Sequence, residues 1–288
     1  MIKILSTLIR QLFFWLIFFA LNRAIFLIYY NYLVWLEEPG FIEVMSAFWH
    51  ALRLDLATAS YILIIPFLLV MIGAFSGLKI WNIFNKAYAF IVIAGYTLIC
   101  TVELGIYGEW KSKLHYKALH YLSHPDEVYN TASTSQFIWL LLIFLAVTFI
   151  SFLVYNRFIV SGSPTKTKQK AGSYVSLVLV PAFLFIGIRG GVQEVPITQA
   201  QAFYSNHNIL NLAAVNSGYN FTFSMLSNYR FMNENPYRFM EDAEARLIVD
   251  KLNAVEKDTT SSILTTSRPN IVVLLLESWS ADLIHSLG

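Results

Sequence analysis

Arg268-Pro269-Asn270-Ile271-Val272-Val273-Leu274-Leu275-Leu276-Glu277-Ser278-Trp279-Ser280 decides how the rest of the chain is read. Pro269 breaks any helix before it, six apolar residues follow without interruption, half of them β-branched, and the run stops at a carboxylate. That pattern predicts a parallel strand buried on both faces. In an open α/β sheet the functional groups sit just past the carboxyl ends of strands, where Glu277 and Ser278 fall. A carboxylate there is placed to hold a divalent cation; the plainer alternative is a Glu that caps or hydrogen-bonds a neighbouring helix. Shape alone leaves both open.

Upstream of this strand the chain has a different character. Of its 288 residues 57% are hydrophobic and 13% charged, with a mean hydropathy of +0.56. A soluble domain carries about 25% charged residues, so the composition is that of a membrane protein. A net charge of +2 with no basic run gives no footprint for nucleic acid. The one cysteine, Cys100, excludes an intrachain disulfide.

Five apolar segments can be marked: Leu12 to Leu36, Leu56 to Phe75 with Pro66 as an expected kink, Ala87 to Tyr107, Phe137 to Tyr155, and the shorter Tyr174 to Ile188. Crossing a hydrocarbon core of about 30 Å takes about 17 to 25 apolar residues, which the first four reach. With five spans, Lys3, Arg10, Lys79, Lys86, Arg157, Lys166, Lys168 and Lys170 fall on one side. Lys111, Lys113 and Lys117 fall on the other, with Arg53 at a border. The positive-inside rule then predicts a cytoplasmic N-terminus in a multi-pass cell membrane protein, with everything after Ile188 extracytoplasmic. Lys170 and Arg189 can snorkel at the ends of the short fifth span. The first segment is too long for a cleaved signal peptide and no small-x-small site follows it, so it reads as an anchor.

Charges inside these segments are costly in lipid and face the bundle interior, pair with one another, or line a polar cavity. Arg23, Arg53, Asp55 and Glu103 are the ones present. Two readings stand: a structural pair of Arg53 with Asp55 or Glu103, or a role in holding a lipid headgroup. Glu109 to Leu122 has helical spacing, with Trp110, Leu114, Ala118, Tyr121 and Leu122 on one face and Lys113 and Lys117 on the adjoining one. It predicts a basic amphipathic helix in the headgroup layer, able to contact lipid phosphates or to lie there passively. His115, His120 and His124 lack a metal-site spacing. Ser161 to Gly172 reads as a flexible linker.

After the fifth segment, Gly190-Gly191 reads as a helix stop rather than a phosphate cradle. Gln199 to Tyr229, rich in Asn and aromatics, is suited to the membrane interface. A helix is expected from Asn235 and Pro236, with Phe239, Ala243, Leu247 and Leu252 as its apolar stripe, then a loop over Asp258 to Ser267.

Pro269-Asn270-Ile271-Val272-Val273 with Leu276-Glu277-Ser278 resembles the opening strand of the alkaline phosphatase and sulfatase superfamily, in its membrane branch of lipoteichoic acid synthases and phosphoglycerol transferases. His50-x-x-Arg53-x-Asp55 and the Arg189-Gly190-Gly191 to Pro196-Ile197 stretch are similar to segments of the same branch. The specific resemblance covers residues 268 to 280; the layout of spans matches loosely. It implies a metal-ligand role for Glu277, a divalent metal (manganese, with zinc, calcium or magnesium as alternatives), and a nucleophilic Thr downstream of Gly288. The expected fold is then mainly α: a five-helix transmembrane bundle over residues 1–190, extracytoplasmic juxtamembrane helices and linker over 191–267, and the first strand of a truncated α/β sulfatase-like domain over 268–288. A single buried strand needs neighbours, so this portion alone is expected to be inactive.

The implied reaction moves glycerophosphate from a membrane phospholipid to an extracytoplasmic glycan or polymer. The candidate headgroup residues are Arg53, Asp55, Glu103, Lys113 and Lys117. A sulfatase or phosphoethanolamine transferase of the same superfamily is the alternative within the enzyme class. A transporter or scaffold is the alternative outside it, although no internal repeat of the transporter kind is present.

Overall fold

The computed structural model describes residues 2–76, 80–118, 134–159, 170–228, 238–254 and 272. The chain divides into two compact units, Met1–Glu234 and Asn235–Gly288.

In the first unit the helices are α1 (Ile2–Tyr29), α2 (Asn31–Leu36), α3 (Phe41–Ser76), α4 (Ile80–Trp110), α5 (Thr134–Val154, continued by a π-helical turn Tyr155–Ile159), α6 (Lys170–Arg189), α7 (Asn208–Ala214) and α8 (Ser217–Asn228), with a 3₁₀ turn at Gln199–Ala202. Four of them, over Ile4–Tyr29, Phe41–Ser76, Asn82–Trp110 and Thr134–Ile159, are long and apolar enough to cross a membrane. Their surface is the inverse of a soluble protein's. Ile17, Ile91 and Phe149 are more than 60% exposed, whereas Gln11, Arg23, Asp55 and Glu103 are buried. Large side chains turned outward and polar ones turned inward are what a hydrocarbon solvent selects, and the chain is a membrane protein.

The fifth expected span differs. Its apolar part, Tyr174–Arg189, is shorter than the other four, so four rather than five helices reach crossing length among the described residues. α6 nevertheless runs antiparallel along α3. Tyr174 meets Phe75 at one end, and Arg53 bonds the carbonyl of Gly190 at the other. Those α3 positions are 22 residues, about 33 Å, apart. Toward the Arg53 end of this seam a Cβ on Gly187 would collide with Ser60, so glycine lets the two backbones approach. Pro66 is accommodated inside a continuous α3.

α1, α3, α4 and the end of α5 share an aromatic core in which Phe14, Trp15, Phe18 and Phe19 pack against Tyr96 and Tyr155. Phe14 meets the Tyr155 ring edge-on at 5.1 Å, a favourable geometry for the ring quadrupoles. A second cluster joins Phe26, Leu27, Leu104 and Tyr107 to Ile209, Leu210 and Ala213 of α7. Residues 197–215 therefore close one end of the bundle instead of lying along its outside: Ile197, Ala202, Ala214 and Val215 are buried against Ala47, Leu54 and Ala57 of α3.

Two further expectations are corrected. The helix expected over Glu109 to Leu122 stops at Trp110. Lys111 takes φ 49°, residues 113–115 are not helical, and a short 3₁₀ turn follows at 116–118. The cause is the buried Glu103, which draws Lys113 and Leu114 back toward the bundle. In the second unit the helix begins at Asp242, not at Asn235 and Pro236: α9 is Asp242–Asn253, residues 238–241 are not helical, and 235–237 lie outside the described residues. Asp242 and Glu244 in its first turn and Lys251 in its last complement the helix dipole, which favours this start. No residue of α9 is buried, so its apolar side chains Leu247 and Leu252 are exposed. The expected strand and Glu277 lie outside the described residues, Val272 apart, and among the described residues there is no strand.

Candidate functional site

The end of the bundle closed by α7 and α8 collects the charges that the spans carry. Arg23 of α1 and Asp55 of α3 form a two-oxygen pair at 3.0 and 2.9 Å. Their side chains are 4% and 2% exposed, which makes the pair a buried one. A guanidinium without all its acceptors would be costly there, and Arg23 Nε also donates to the carbonyl of Ala213 at 2.9 Å. Asn216 supplies the remaining donor to Asp55 Oδ1 at 2.8 Å. The same Asn216 caps α8, accepting from the Tyr219 N–H at 3.0 Å.

A second buried pair lies beside it. Lys113 Nζ donates to Glu103 Oε2 at 2.9 Å and to Ser217 Oγ at 2.8 Å, while Ser217 Oγ donates to Glu103 Oε2 at 2.6 Å. The backbone N–H of Leu114 donates to Glu103 Oε1 at 3.2 Å. The ring of Phe26 faces the Lys113 ammonium at 5.5 Å. Arg23, Glu103, Lys113 and Ser217 border one small internal space of about 20 Å³, room for a single water.

The rim is tied by tyrosine and asparagine hydrogen bonds and by a histidine between two carboxylates. Tyr30 donates to the Leu104 carbonyl and accepts from the Gly108 N–H at 3.0 Å; burial pushes its hydroxyl up to about 12, so it stays protonated and donating. Tyr204 donates to the Glu43 carbonyl at 2.7 Å, its hydroxyl raised to about 12 by burial and then by the Glu43 carboxylate. Asn211 accepts from the N–H groups of Tyr204 and Ser205, at 2.8 and 2.9 Å. His207 sits between Glu37 and Glu43, with Nδ1 3.2 Å from one carboxylate and Nε2 3.8 Å from the other. The two carboxylates meet opposite sides of the ring and so do not converge on one cation.

Beyond Lys113 the surface opens into a pocket of about 360 Å³ between the 112–115 segment, the 3₁₀ turn and α8. That volume is at the lower end of the range of small-molecule sites. Lys113 and Val215 border both this pocket and the internal space.

The expected site residues are thus distributed among several partners. Glu103 and Lys113 come together. Asp55 pairs with Arg23 and not with Arg53, because residues two apart on a helix point to different sides. Arg53 instead donates to the Gly190 carbonyl at 3.1 Å and to Gln193 Oε1 at 2.6 Å, tying α3 to the turn after α6. Lys117 is exposed. Gly190 and Gly191 are a helix stop, as expected: Gly191 N bonds the Ile186 carbonyl, Gly190 N that of Gly187, and Gly190 takes φ 76°. Sequence reasoning missed Asn216 and Ser217. The signal for both was an Asn-Ser-Gly step at the start of a helix, which it did not read as a cap.

Among the described residues no group of three or more His, Cys, Asp or Glu side chains is placed to hold a metal ion. Glu277 lies outside them, and its metal role rests on the resemblance alone. The chain matches no family model, no curated protein and no solved structure.

Proposed function

We propose that this chain is the membrane portion of an enzyme that processes phospholipids at the extracytoplasmic face of a cell membrane. More particularly, the reading is a metal-dependent phosphoglycerol transferase that moves glycerophosphate from a phospholipid to a glycan or polymer. The observation that carries it is the stretch Pro269 to Ser278, in which Glu277 closes an apolar run that resembles the opening strand of the sulfatase superfamily. The bundle supports it by offering four lipid-facing helices and one end built from polar side chains.

Delivering Glu277 to the outer face takes an odd number of crossings. The antiparallel course of α6 along α3 supports α6 as the fifth, and the Lys and Arg placement supports a cytoplasmic N-terminus. A transport pathway through the spans receives less support, because Arg23, Asp55, Glu103 and Lys113 are already paired with one another.

The test uses the full-length protein in vesicles of phosphatidylglycerol with manganese, with release of diacylglycerol as the readout. Glu277→Ala is expected to lower release by about 100-fold or more, since even outer-shell changes at metal sites cost about 10- to 100-fold. Release that survives Glu277→Ala at the parental rate removes the reading.

A further inference from the structure

We infer that the pocket of about 360 Å³ between residues 112–115 and α8 binds an uncharged polyol, the sugar or glycerol moiety of a ligand, and not a phosphate or a cation. The inference concerns binding alone and holds whether or not Glu277 takes part in catalysis.

The charge inventory excludes ions first. Among the described residues no carboxylate lines the pocket, so a cation finds no counter-charge from them. Among the described residues Lys113 is the one Lys or Arg in the lining, and its ammonium is spent on Glu103, Ser217 and the face of Phe26. A phosphate entering here would have to pull Lys113 off a buried carboxylate and leave Glu103 unmatched, at a cost comparable to what it gained. The remaining titratable group among the described lining residues is His115, whose pKa burial and then Lys117 lower from the usual value, which disfavours its charged form.

What remains is a set of hydroxyls and amides with capacity to spare. Asn220 uses one N–H on the Leu114 carbonyl at 2.7 Å, and Asn228 uses one on the Ser224 carbonyl at 2.8 Å, so both side-chain oxygens face no donor among the described residues. Ser224 accepts from the Tyr116 N–H at 3.1 Å. Ser112 and Ser227 add two further hydroxyls to the lining. His115 Nδ1 is buried without a hydrogen-bond partner among the described residues, its ring stacked on Trp110. Hydroxyls and amides that can both donate and accept suit the hydroxyls of a polyol, each of which both gives and accepts a bond. Phe203 and Phe223, also in the lining, offer the apolar faces on which the C–H side of a sugar or glycerol packs.

Two sources carry this chemistry, a glycolipid headgroup and a free saccharide or polyol. The experiment uses the whole chain in nanodiscs. Saturation-transfer NMR is run with methyl β-glucoside and glycerol, ³¹P line broadening with inorganic phosphate, and native mass spectrometry with discs doped with glucosyl diacylglycerol or phosphatidylglycerol. Saturation transfer to the glucoside or glycerol is expected, with no phosphate broadening. Ser227→Trp, which fills the pocket from an exposed position and removes no bond described above, is expected to reduce the signal at least tenfold. Retention of glucosyl diacylglycerol that free glucoside displaces only at large excess assigns the site to a lipid; equal competition assigns it to a free polyol. Phosphate or phosphatidylglycerol bound in preference to the neutral probes, or polyol binding unchanged in Ser227→Trp, overturns the inference.

Discussion

The two halves of the bundle treat buried polarity differently. At the end closed by α7 and α8, every buried charge has a partner: Arg23 with Asp55 and Ala213, Asp55 also with Asn216, and Glu103 with Lys113, Ser217 and Leu114. Toward the other end, Gln11 is fully buried with neither amide atom bonded among the described residues, and the Trp15 N–H and Asn85 Oδ1 are in the same position. Gln11 and Arg23 lie on one helix about 18 Å apart. The difference follows from magnitudes. An unmatched ion in a low-dielectric interior costs several kcal/mol, about two to three times what an unmatched amide costs, so only the charges compel a network.

Removing one partner at the charged end tests this most severely. Asp55→Leu is expected to destabilise the bundle by about 3 to 5 kcal/mol, read by reversible detergent unfolding, because it strands Arg23. Arg23→Met combined with Asp55→Leu is expected to recover most of that loss. A double variant as unstable as the single one would show that packing, not charge, dominates. Glu103→Gln comes next, at about 3 kcal/mol, because Lys113 keeps Ser217. Faster proteolysis of the 111–118 segment should accompany it. Gly190→Ala, at φ 76° and with its Cβ only 2.5 Å from that of Ile197, is expected to cost about 2 kcal/mol and to loosen the Arg53 tie.

The neutral half should respond with the opposite sign. Gln11→Leu removes an amide without partners and is expected to be neutral or to stabilise by up to about 1 kcal/mol. A loss of more than 2 kcal/mol in the same assay would mean that the amide is satisfied in the membrane after all.

The smallest effect is one of pH. His115 has a folded-state pKa below its unfolded value, so the unfolded chain binds more protons between the two. Its contribution to stability is full above the unfolded value near 6.5 and declines as pH falls toward the folded value. Slow acidification from pH 7 to 5 should therefore loosen residues 111–118, as seen by hydrogen exchange, and His115→Gln should remove that component.

Much of this architecture could be read before any coordinates. Four apolar runs marked four helices, because hydrophobic length is a local property. The Gly190-Gly191 stop was equally local. The pairing of charges was not. Asp55 finds Arg23 from 32 positions away and Asn216 from 161, and hydropathy carries no information about partners. The amphipathic pattern over Glu109 to Leu122 was present in the residues, yet a tertiary bond to Glu103 overrode it, much as packing commonly overrides propensity. Asn216 and Ser217 were passed over because polar residues in an Asn-rich stretch look alike until one of them meets a carboxylate.

Arg23 and the carbonyl it bonds at Ala213 are 190 residues apart in the chain. At ribosomal speeds that separation is roughly 10 to 40 s of synthesis. During that interval the cation of α1 lacks its full set of acceptors. Asp55 arrives first and can neutralise it; Ala213 and Asn216 close the ring last. The contacts thus lead to the expectation of insertion in two stages, with early helices held by one provisional ion pair and the remaining bonds made when the segment after α6 docks.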